Sequence, residues 1–275
     1  MKPAAFDYVR AESIEEALDV LAQEGGDASI LAGGQTLIPM LSMRMARPSV
    51  VVDIMRLPGL DRIDSADGTI RVGAAVLQRK LEQEVDLAMR QPLLAAALPW
   101  IGHAQTRSRG TVCGSVAYAD PSAELPLVLI ALGGEIELKS RRGLRRAAAE
   151  SFFTGIMSTD RAEDELIEAV RFPAARAGAG YAFHEISRRH GDFAIVACAA
   201  MVDAKSARLA VGGVADRPMA CALPLPGDSA LDDALDAFAW DLDARDDLHA
   251  TASYRRELVR RLGRRTLEEA ARCRA

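Results

Sequence analysis

Cysteine is scarce in this sequence, and its spacing excludes the common metal sites. The 275 residues include four cysteines, and no two of them form a C-x-x-C pair. Structural zinc sites and iron–sulfur clusters need closely spaced cysteines, and disulfide frameworks are typical of small secreted chains. The four histidines also lack the close helical spacing of a zinc motif. We therefore expect this chain to bind no metal of its own.

The sequence also lacks a basic surplus and long apolar runs. It has 34 basic and 39 acidic residues, a net charge of -5, whereas nucleic-acid binding draws most of its affinity from a basic surface. Apolar stretches such as Leu125–Leu132 and Ala194–Val202 are far shorter than the ~20 residues that span a bilayer. The first ten residues contain no apolar signal-peptide core. We expect a soluble cytoplasmic protein with no membrane span and no nucleic-acid partner.

Several motifs of catalysis and nucleotide binding are missing as well. No glycine directly precedes a lysine, so the phosphate-binding loop G-x-x-x-x-G-K-[ST] is excluded. The only G-x-G, Gly178–Gly180, continues without a third glycine, so the dinucleotide fingerprint of a Rossmann fold is absent. There is no G-x-S-x-G elbow either. The hypotheses that the protein is a hydrolase or a Rossmann-fold dinucleotide-binding protein therefore lose most of their support.

Patterning of the N-terminal part predicts a small α/β lobe. Ser13 and Glu16 form a capping box in front of an amphipathic helix, and the β-branched run Val50–Ile54 is typical of a buried strand. Alternation of strand and helix indicates one lobe over residues 1–57. A second lobe over 58–175 holds predicted helices and strands: Val76–Leu87, Gln91–Leu98, Glu135–Lys139 and Leu166–Phe172.

The C-terminal part is predicted as a separate domain over residues 176–275. The stretch 173–180 is rich in small residues and is typical of a linker. Two helices are expected near 230–244 and from 253 to the end. They follow three predicted strands: Tyr181–Ser187, Ala194–Asp203 and Arg208–Ala215.

Two glycine-containing loops are the candidate ligand sites. In the first, a strand enters Ala32-Gly33-Gly34-Gln35-Thr36-Leu37 and a helix follows. Glycines let a backbone approach a ligand, and successive amides at a helix start favour an anion. A strand-to-helix turn without a ligand is the alternative. In the second loop, Thr106–Pro126, small and hydroxyl residues precede Glu124, a pattern that suits a phosphate and a sugar hydroxyl; an ordinary surface loop is the alternative.

Two candidate phosphate loops in separate lobes suggest a long ligand lying in the crevice between them, and FAD has that length. Three segments resemble the FAD-binding subunits of molybdenum hydroxylases, such as the carbon monoxide dehydrogenase medium subunit and the xanthine dehydrogenase FAD-binding subunit. The first loop is similar to their A-G-G-x-[ST]-L motif. The second is similar to T-x-G-G-N-x-x-x-x-x-P-x-x-[DE]-x-x-P, with Thr111, Gly114, Pro121 and Glu124 in register. Ser187–Ala194 resembles R-x-x-D-[FYI]-A.

The resemblance implies a fold and a set of cofactor-binding residues. The fold would be α+β: a two-lobed FAD-binding domain like that of vanillyl-alcohol oxidase, followed by a C-terminal α+β domain with a three-stranded antiparallel sheet. The first loop would hold the pyrophosphate, Glu124 would approach the ribose or ribityl hydroxyls, and Asp192 and Phe193 would stand near the isoalloxazine. The full set implied is Ala32, Gly33, Gly34, Gln35, Thr36, Leu37, Thr106, Gly110, Thr111, Gly114, Ser115, Asp120, Glu124, Asp192 and Phe193.

The resemblance also implies a function and partners. The chain would be an FAD-carrying electron-transfer subunit with no acid–base residue of its own. A large partner would carry molybdopterin and a small partner two [2Fe–2S] clusters, assembled as a dimer of heterotrimers that delivers electrons to an external acceptor. Two alternatives stay open: a free-standing FAD-dependent oxidoreductase with its own substrate pocket, and a non-catalytic nucleotide-binding protein.

Three positions depart from the family pattern. Cys113 replaces the first glycine of the second loop, so the turn there must have negative φ or carry strain. We interpret its thiol as a small packing residue rather than a redox group. Ser115 replaces an asparagine and loses reach. Glu185 stands where several relatives place a lysine, and a carboxylate there would disfavour an anionic reduced flavin.

Overall fold

A parallel sheet of order β1-β3-β2 forms the N-terminal lobe in the computed structural model, which describes residues 2–274. The lobe's elements are β1 (Asp7–Arg10), α1 (Ile14–Glu24), β2 (Ala28–Leu31), α2 (Leu37–Ser42) and β3 (Val50–Asp53). The predicted capping box is present at the start of α1 with one bond shifted by a residue. The Ser13 hydroxyl accepts from the Glu16 amide at 3.1 Å, whereas the Glu16 carboxylate accepts from the amide of Glu12, rather than of the N-cap Ser13, at 2.7 Å. Strand β3 is the central strand of this sheet, and Val50, Val51 and Val52 are buried.

The second lobe is built on a five-stranded antiparallel sheet of order β4-β5-β10-β6-β7, with a separate β8-β9 hairpin. Its elements are β4 (Ile63–Ala66), β5 (Thr69–Gly73), α3 (Gln78–Glu82), α4 (Leu87–Arg90), α5 (Pro92–Ala97), α6 (Ala104–Arg107), α7 (Val112–Tyr118), α8 (Glu124–Leu132), β6 (Glu135–Ser140), β7 (Gly143–Ala148), α9 (Ala149–Phe152), β8 (Phe153–Gly155), β9 (Ser158–Thr159) and β10 (Leu166–Pro173). The helix expected over 76–87 is wrong in extent, since α3 covers only Gln78–Glu82 and a separate helix begins at Leu87. Helix α3 begins only at Gln78 because Leu77 bridges to Thr111 and the Val112 amide donates to the Val76 carbonyl at 3.0 Å.

The C-terminal segment carries a four-stranded antiparallel sheet of order β11-β12-β13-β14, backed by two helices. Its elements are β11 (Gly180–Ile186), β12 (Val196–Val202), β13 (Ala207–Gly212), β14 (Met219–Leu223), α10 (Leu231–Asp241) and α11 (Ala252–Arg272). The α+β class is confirmed, but the expected strand count of three is wrong. The fourth strand, β14, has no β-branched residue and buries only Leu223, so it gives little strand signal in the sequence.

Both faces of the C-terminal sheet are buried, and they belong to two different apolar clusters. Ala197, Ala199 and Met201 of β12 join the large cluster that runs through the first two lobes, whereas Cys198 and Ala200 join the cluster under α10 and α11. This division follows from the two-residue period of a strand. Helix α8, whose nine residues are all buried, packs on β12 and β13. The C-terminal sheet therefore shares a core with the second lobe, and the domain boundary at 175/176 stays a prediction.

Within residues 2–274, no helix combines the length and the apolar character needed to cross a bilayer. The cytoplasmic location stays a prediction. The outermost ends of the predicted domains, residues 1 and 275, lie outside the described residues.

Gly180 of β11 packs directly against the backbone of α11. A Cβ at this position would lie 1.9 Å from the Ala270 carbonyl oxygen. We expect Gly180→Ala to lower the melting temperature, since overpacking of this kind costs about 1–3 kcal/mol. Thermal unfolding followed by circular dichroism measures the effect. Gly155→Ala is the matched control because its Cβ would meet only Ser158 Cβ at 4.0 Å; equal melting temperatures for the two variants would contradict this packing.

Candidate functional site

A cavity of about 490 Å³ opens where the two lobes and the C-terminal segment meet. All fifteen residues named from the sequence line it, although they come from three distant parts of the chain. They are Ala32, Gly33, Gly34, Gln35, Thr36, Leu37, Thr106, Gly110, Thr111, Gly114, Ser115, Asp120, Glu124, Asp192 and Phe193. The structure thus brings the whole predicted set to one place, and their roles toward a ligand stay a prediction.

The first glycine loop connects β2 to α2 and touches the second loop backbone to backbone. A Cβ on Gly33 would lie 2.1 Å from the Arg109 carbonyl oxygen, so no side chain fits at this position. Gly34 has a φ of 71°, in the left-handed region that favours glycine. Sequence and geometry agree here: the glycine pair is needed for the turn and for the contact between the lobes.

The same loop presents a row of free hydrogen-bond donors. Among residues 2–274, no acceptor takes a hydrogen bond from the amides of residues 33–37, which line the cavity. The helix bonds of α2 begin one residue later, with the Ile38 amide donating to the Gly34 carbonyl at 3.1 Å. Consecutive unpaired amides in a concave loop form an anion-binding nest, and the residues present therefore fit a phosphate-bearing ligand.

The second loop is held in place by hydrogen bonds on both sides. The Gly110 carbonyl accepts a hydrogen bond from the backbone amide of Gln78 at 2.8 Å. The Thr111 hydroxyl accepts from the Gly114 amide at 3.0 Å and so caps α7. These bonds fix the start of α7 against the cavity, where Gly114 and Ser115 face the interior.

Two acidic residues follow α7 on the cavity wall. The Asp120 carboxylate accepts from the Ser122 amide at 2.9 Å, and burial raises the pKa of Asp120 above its ordinary value. Glu124, the first residue of α8, is only 7% exposed. Burial raises the pKa of Glu124 to about 7, against the opposing effect of its own amide. This wall of the cavity therefore holds protons more tightly than ordinary carboxyls do.

The third segment forms the rim of the cavity. Phe193 is 70% exposed there, which is unusual for an aromatic side chain, and the Asp192 carboxylate accepts from Arg189 at 3.1 Å. The loop is anchored by His190, whose ring stacks on Trp100 with 5.5 Å between centroids. A second cleft of about 590 Å³ adjoins the rim and shares Asp192 and Phe193 with the first cavity.

Sequence reasoning missed several lining residues, of which Gln78 and Arg161 carry the most chemistry. Gln78 is buried and its Oε1 has no hydrogen-bond partner within residues 2–274. The Arg161 guanidinium donates to the Glu165 carbonyl at 2.7 Å and to the Ala162 carbonyl at 3.0 Å. Neither residue belongs to a local sequence motif. Tertiary packing brings both to the cavity, so no signal in the sequence identifies them.

Cys113 lies in helix α7 without backbone strain. Its φ is negative, so the replacement of the family's glycine by cysteine causes no strain at this position. The buried thiol donates to the Val72 carbonyl at 3.4 Å, and burial raises its pKa to about 12. A protonated, enclosed thiol is a poor nucleophile, which agrees with its interpretation as a packing residue.

Alkylation of the native chain tests the state of the thiols. We expect iodoacetamide near neutral pH to modify the exposed Cys273 while Cys113 and Cys198 stay unmodified, since both are buried and burial raises the pKa of each. Peptide mapping by mass spectrometry measures the extent at each site. The urea-unfolded chain, in which all four cysteines should react, is the control. Modification of native Cys113 at the rate of Cys273 would show that the thiol is accessible.

Two family models match the chain. The model of the FAD binding domain in molybdopterin dehydrogenase matches residues 4–175. The model of the CO dehydrogenase flavoprotein C-terminal domain matches residues 181–270.

Known proteins resemble the chain over three quarters of its length or nearly all of it. The alpha subunit of the 6-hydroxypseudooxynicotine dehydrogenase complex of Paenarthrobacter nicotinovorans is 40% identical, over 98% of this chain and 96% of that protein. The carbon monoxide dehydrogenase medium chain of Hydrogenophaga pseudoflava is 36% identical, over 74% and 70%. Among solved structures, carbon monoxide dehydrogenase from Hydrogenophaga pseudoflava superposes with a TM-score of 0.93 at 31% identity, covering both chains fully. Quinoline 2-oxidoreductase from Pseudomonas putida 86 does so with a TM-score of 0.88 at 32% identity, covering 99% of each. The chain therefore belongs to the family of FAD-binding medium subunits of molybdenum hydroxylases.

Proposed function

We propose that this chain is the electron-transfer subunit of a molybdenum-containing hydroxylase, taking electrons from the [2Fe–2S] clusters of a partner and passing them through FAD to an external acceptor. The observation that carries the proposal is the row of five free amides at residues 33–37, which line a cavity shared by both lobes. None of these residues is buried, so their amides are accessible to a ligand in the cavity, and a diphosphate would accept from several of them at once.

The lining residues divide by the part of FAD that they suit. Amides of the first loop would hold the diphosphate, and Gly110, Thr111, Gly114 and Ser115 would face it from the other lobe. Arg161 is the only basic residue of the lining among the described residues, so the phosphates would be held chiefly by backbone donors. When bound, FAD supplies the redox chemistry, while the protein binds it, orients it and tunes its potential.

The acidic wall and the rim would serve the remaining parts of the cofactor. Asp120 and Glu124 would approach sugar or ribityl hydroxyls, and Thr106, Asp192 and Phe193 would lie near the isoalloxazine. The exposure of Phe193 and the adjoining cleft support access for an external acceptor at this end. No residue is assigned as an acid or base.

The proposal includes partner subunits that this chain cannot replace. The chain contains no C-x-x-C pair, and we propose that the iron–sulfur clusters that supply its electrons belong to a partner. We propose a large molybdopterin subunit and a small [2Fe–2S] subunit, assembled as a dimer of heterotrimers in the cytoplasm. The division into an FAD-binding domain over 1–175, with lobes 1–57 and 58–175, and a C-terminal domain over 176–275 belongs to the same proposal.

Replacing both glycines of the first loop tests the phosphate assignment. We expect Gly33→Val combined with Gly34→Val to abolish FAD retention, because a side chain at Gly33 would collide with the Arg109 carbonyl and Gly34 requires a positive φ. The C-terminal sheet and its helices should stay folded. Flavin absorbance per chain after gel filtration and circular dichroism measure the two effects. Gly155→Val, in a hairpin away from the cavity, is the control and should keep its flavin. Full flavin occupancy in the double variant would refute the assignment.

Purification of the native complex separates this function from its alternatives. We expect one FAD per copy of this chain, together with stoichiometric molybdopterin-bearing and iron–sulfur-bearing partners, measured by absorption spectroscopy, metal analysis and native mass spectrometry. Steady turnover by the isolated chain would instead indicate a free-standing oxidoreductase. Failure to bind FAD under any condition would favour a non-catalytic nucleotide-binding protein.

A further inference from the structure

Glu185 is a buried carboxylate with no partner. Its side chain is 7% exposed, and neither oxygen makes a hydrogen bond within the described residues. It does not line the cavity itself. An ionised carboxylate is costly to bury without a cation or a hydrogen-bond donor. Burial therefore favours the protonated form of Glu185.

The strand register places Glu185 toward the start of α8. Glu185 lies directly opposite Ala197, and Ala197 lies opposite Gly212. Residues directly opposite in an antiparallel sheet point to the same face. A Cβ on Gly212 would lie 3.2 Å from the Pro121 carbonyl oxygen and 3.4 Å from Leu127 Cδ2, so this face looks at the segment that carries Glu124.

The neighbouring residue confirms the direction. His184 points to the opposite face, where its Nδ1 lies 3.2 Å from the Thr266 hydroxyl of α11. Glu185 therefore lies on the sheet face that packs against the segment carrying Glu124, and we call these two residues the acidic pair; Glu124 lines the cavity and Glu185 does not. Burial, with the charge of Glu124 added, raises the pKa of Glu185 to about 8.

Among residues 2–274, no basic side chain forms an ion pair with either member of the acidic pair. Asp120 adds a further negative charge that raises the pKa of Glu124, and Arg107 acts in the opposite direction. The Arg107 guanidinium, however, donates to the Glu82 carboxylate at 2.9 Å. Helix α5, which also packs on β11, carries no titratable side chain, and within residues 2–274 neither carboxylate of the pair has a basic partner within 4.0 Å.

We propose that Glu185 is a positioning residue that keeps a proton on the acidic pair at neutral pH, so that FAD retention in the cavity is linked to this proton. The inference rests on the proposed function only in that the cavity takes FAD. Burial disfavours the ionised form of each carboxyl, and the charge of Glu124 adds to this effect at Glu185, so the pair keeps a proton at a pH where exposed carboxyls have released theirs. With that proton, the wall presents fewer negative charges to an anionic diphosphate, and a protonated Glu124 can donate as well as accept.

The direction of the pH dependence follows from the sign of the shifts. Both folded-state pKa values are raised above the ordinary value of 4.5, to about 7 for Glu124 and about 8 for Glu185. The stability that protonation contributes is therefore complete below the ordinary value and is lost as the pH rises through about 7 to 8. FAD affinity should be lost in the same direction.

Two measurements on the full chain test the inference, with and without FAD. Between about pH 6 and about pH 9, we expect the FAD dissociation constant of the wild type to rise roughly tenfold, and the melting temperature of the FAD-free chain to fall. In Glu185→Gln both changes should shrink to less than half, and the FAD-free variant should melt higher than the wild type at the alkaline end. Glu185→Asp, which keeps a titrating carboxyl, should retain the pH dependence.

Glu165→Gln is the matched control. Glu165 is also buried, but it accepts from Arg145 at 2.6 and 2.7 Å, and although burial raises its pKa, these bonds lower it below the ordinary value. This control should lose stability near neutral pH. If Glu185→Gln does not fold, Glu124→Gln replaces it in the FAD-free stability series. An unchanged pH profile of stability in the variant would overturn the acidic pair, whereas wild-type chain that binds no FAD at any pH would overturn the proposed function alone.

Discussion

One backbone contact sets the geometry of the whole site: Gly33 meets the carbonyl of Arg109 with no room for a side chain between them. This contact brings a turn of the parallel lobe against the loop that leads into α7. Two loops from different sheets thereby share one cavity, and the amides of residues 33–37 stay free to face it. A side chain at Gly33 would push the lobes apart and remove the narrow space that these amides line.

Sequence reasoning succeeded where a local feature decides the structure. The capping box of Ser13 and Glu16, the β-branched run of β3 and the glycine pair each have a reason within a few residues, and the structure shows each element in its expected place. The fifteen site residues were collected from three motifs and line one cavity. That these residues meet in space could be predicted only from the family resemblance, because spacing along the chain does not indicate that residue 193 lies near residue 33.

The elements that the sequence does not predict lack a local signal, and each has a physical reason. After Glu124, helix α8 is apolar through Leu132 and buried on every side, so it has no amphipathic period to recognise. Strand β14 is short, lies at a sheet edge and lacks β-branched residues. Arg161 and Gln78 reach the cavity only through tertiary packing. The partnerless state of Glu185 is likewise a property of the assembled core, as no single segment of sequence records which side chains surround it.

The two-faced burial of β12 constrains how the molecule moves. Because its alternate residues belong to two interiors, the C-terminal sheet cannot swing away from the lobes as a rigid lid without exposing apolar surface on a large scale. Changes in the shape of the cavity that expose little apolar surface are therefore expected in short surface segments. The loop that carries Phe193 is one such segment: Phe193 is exposed, and the neighbouring His190 ring stacks on Trp100.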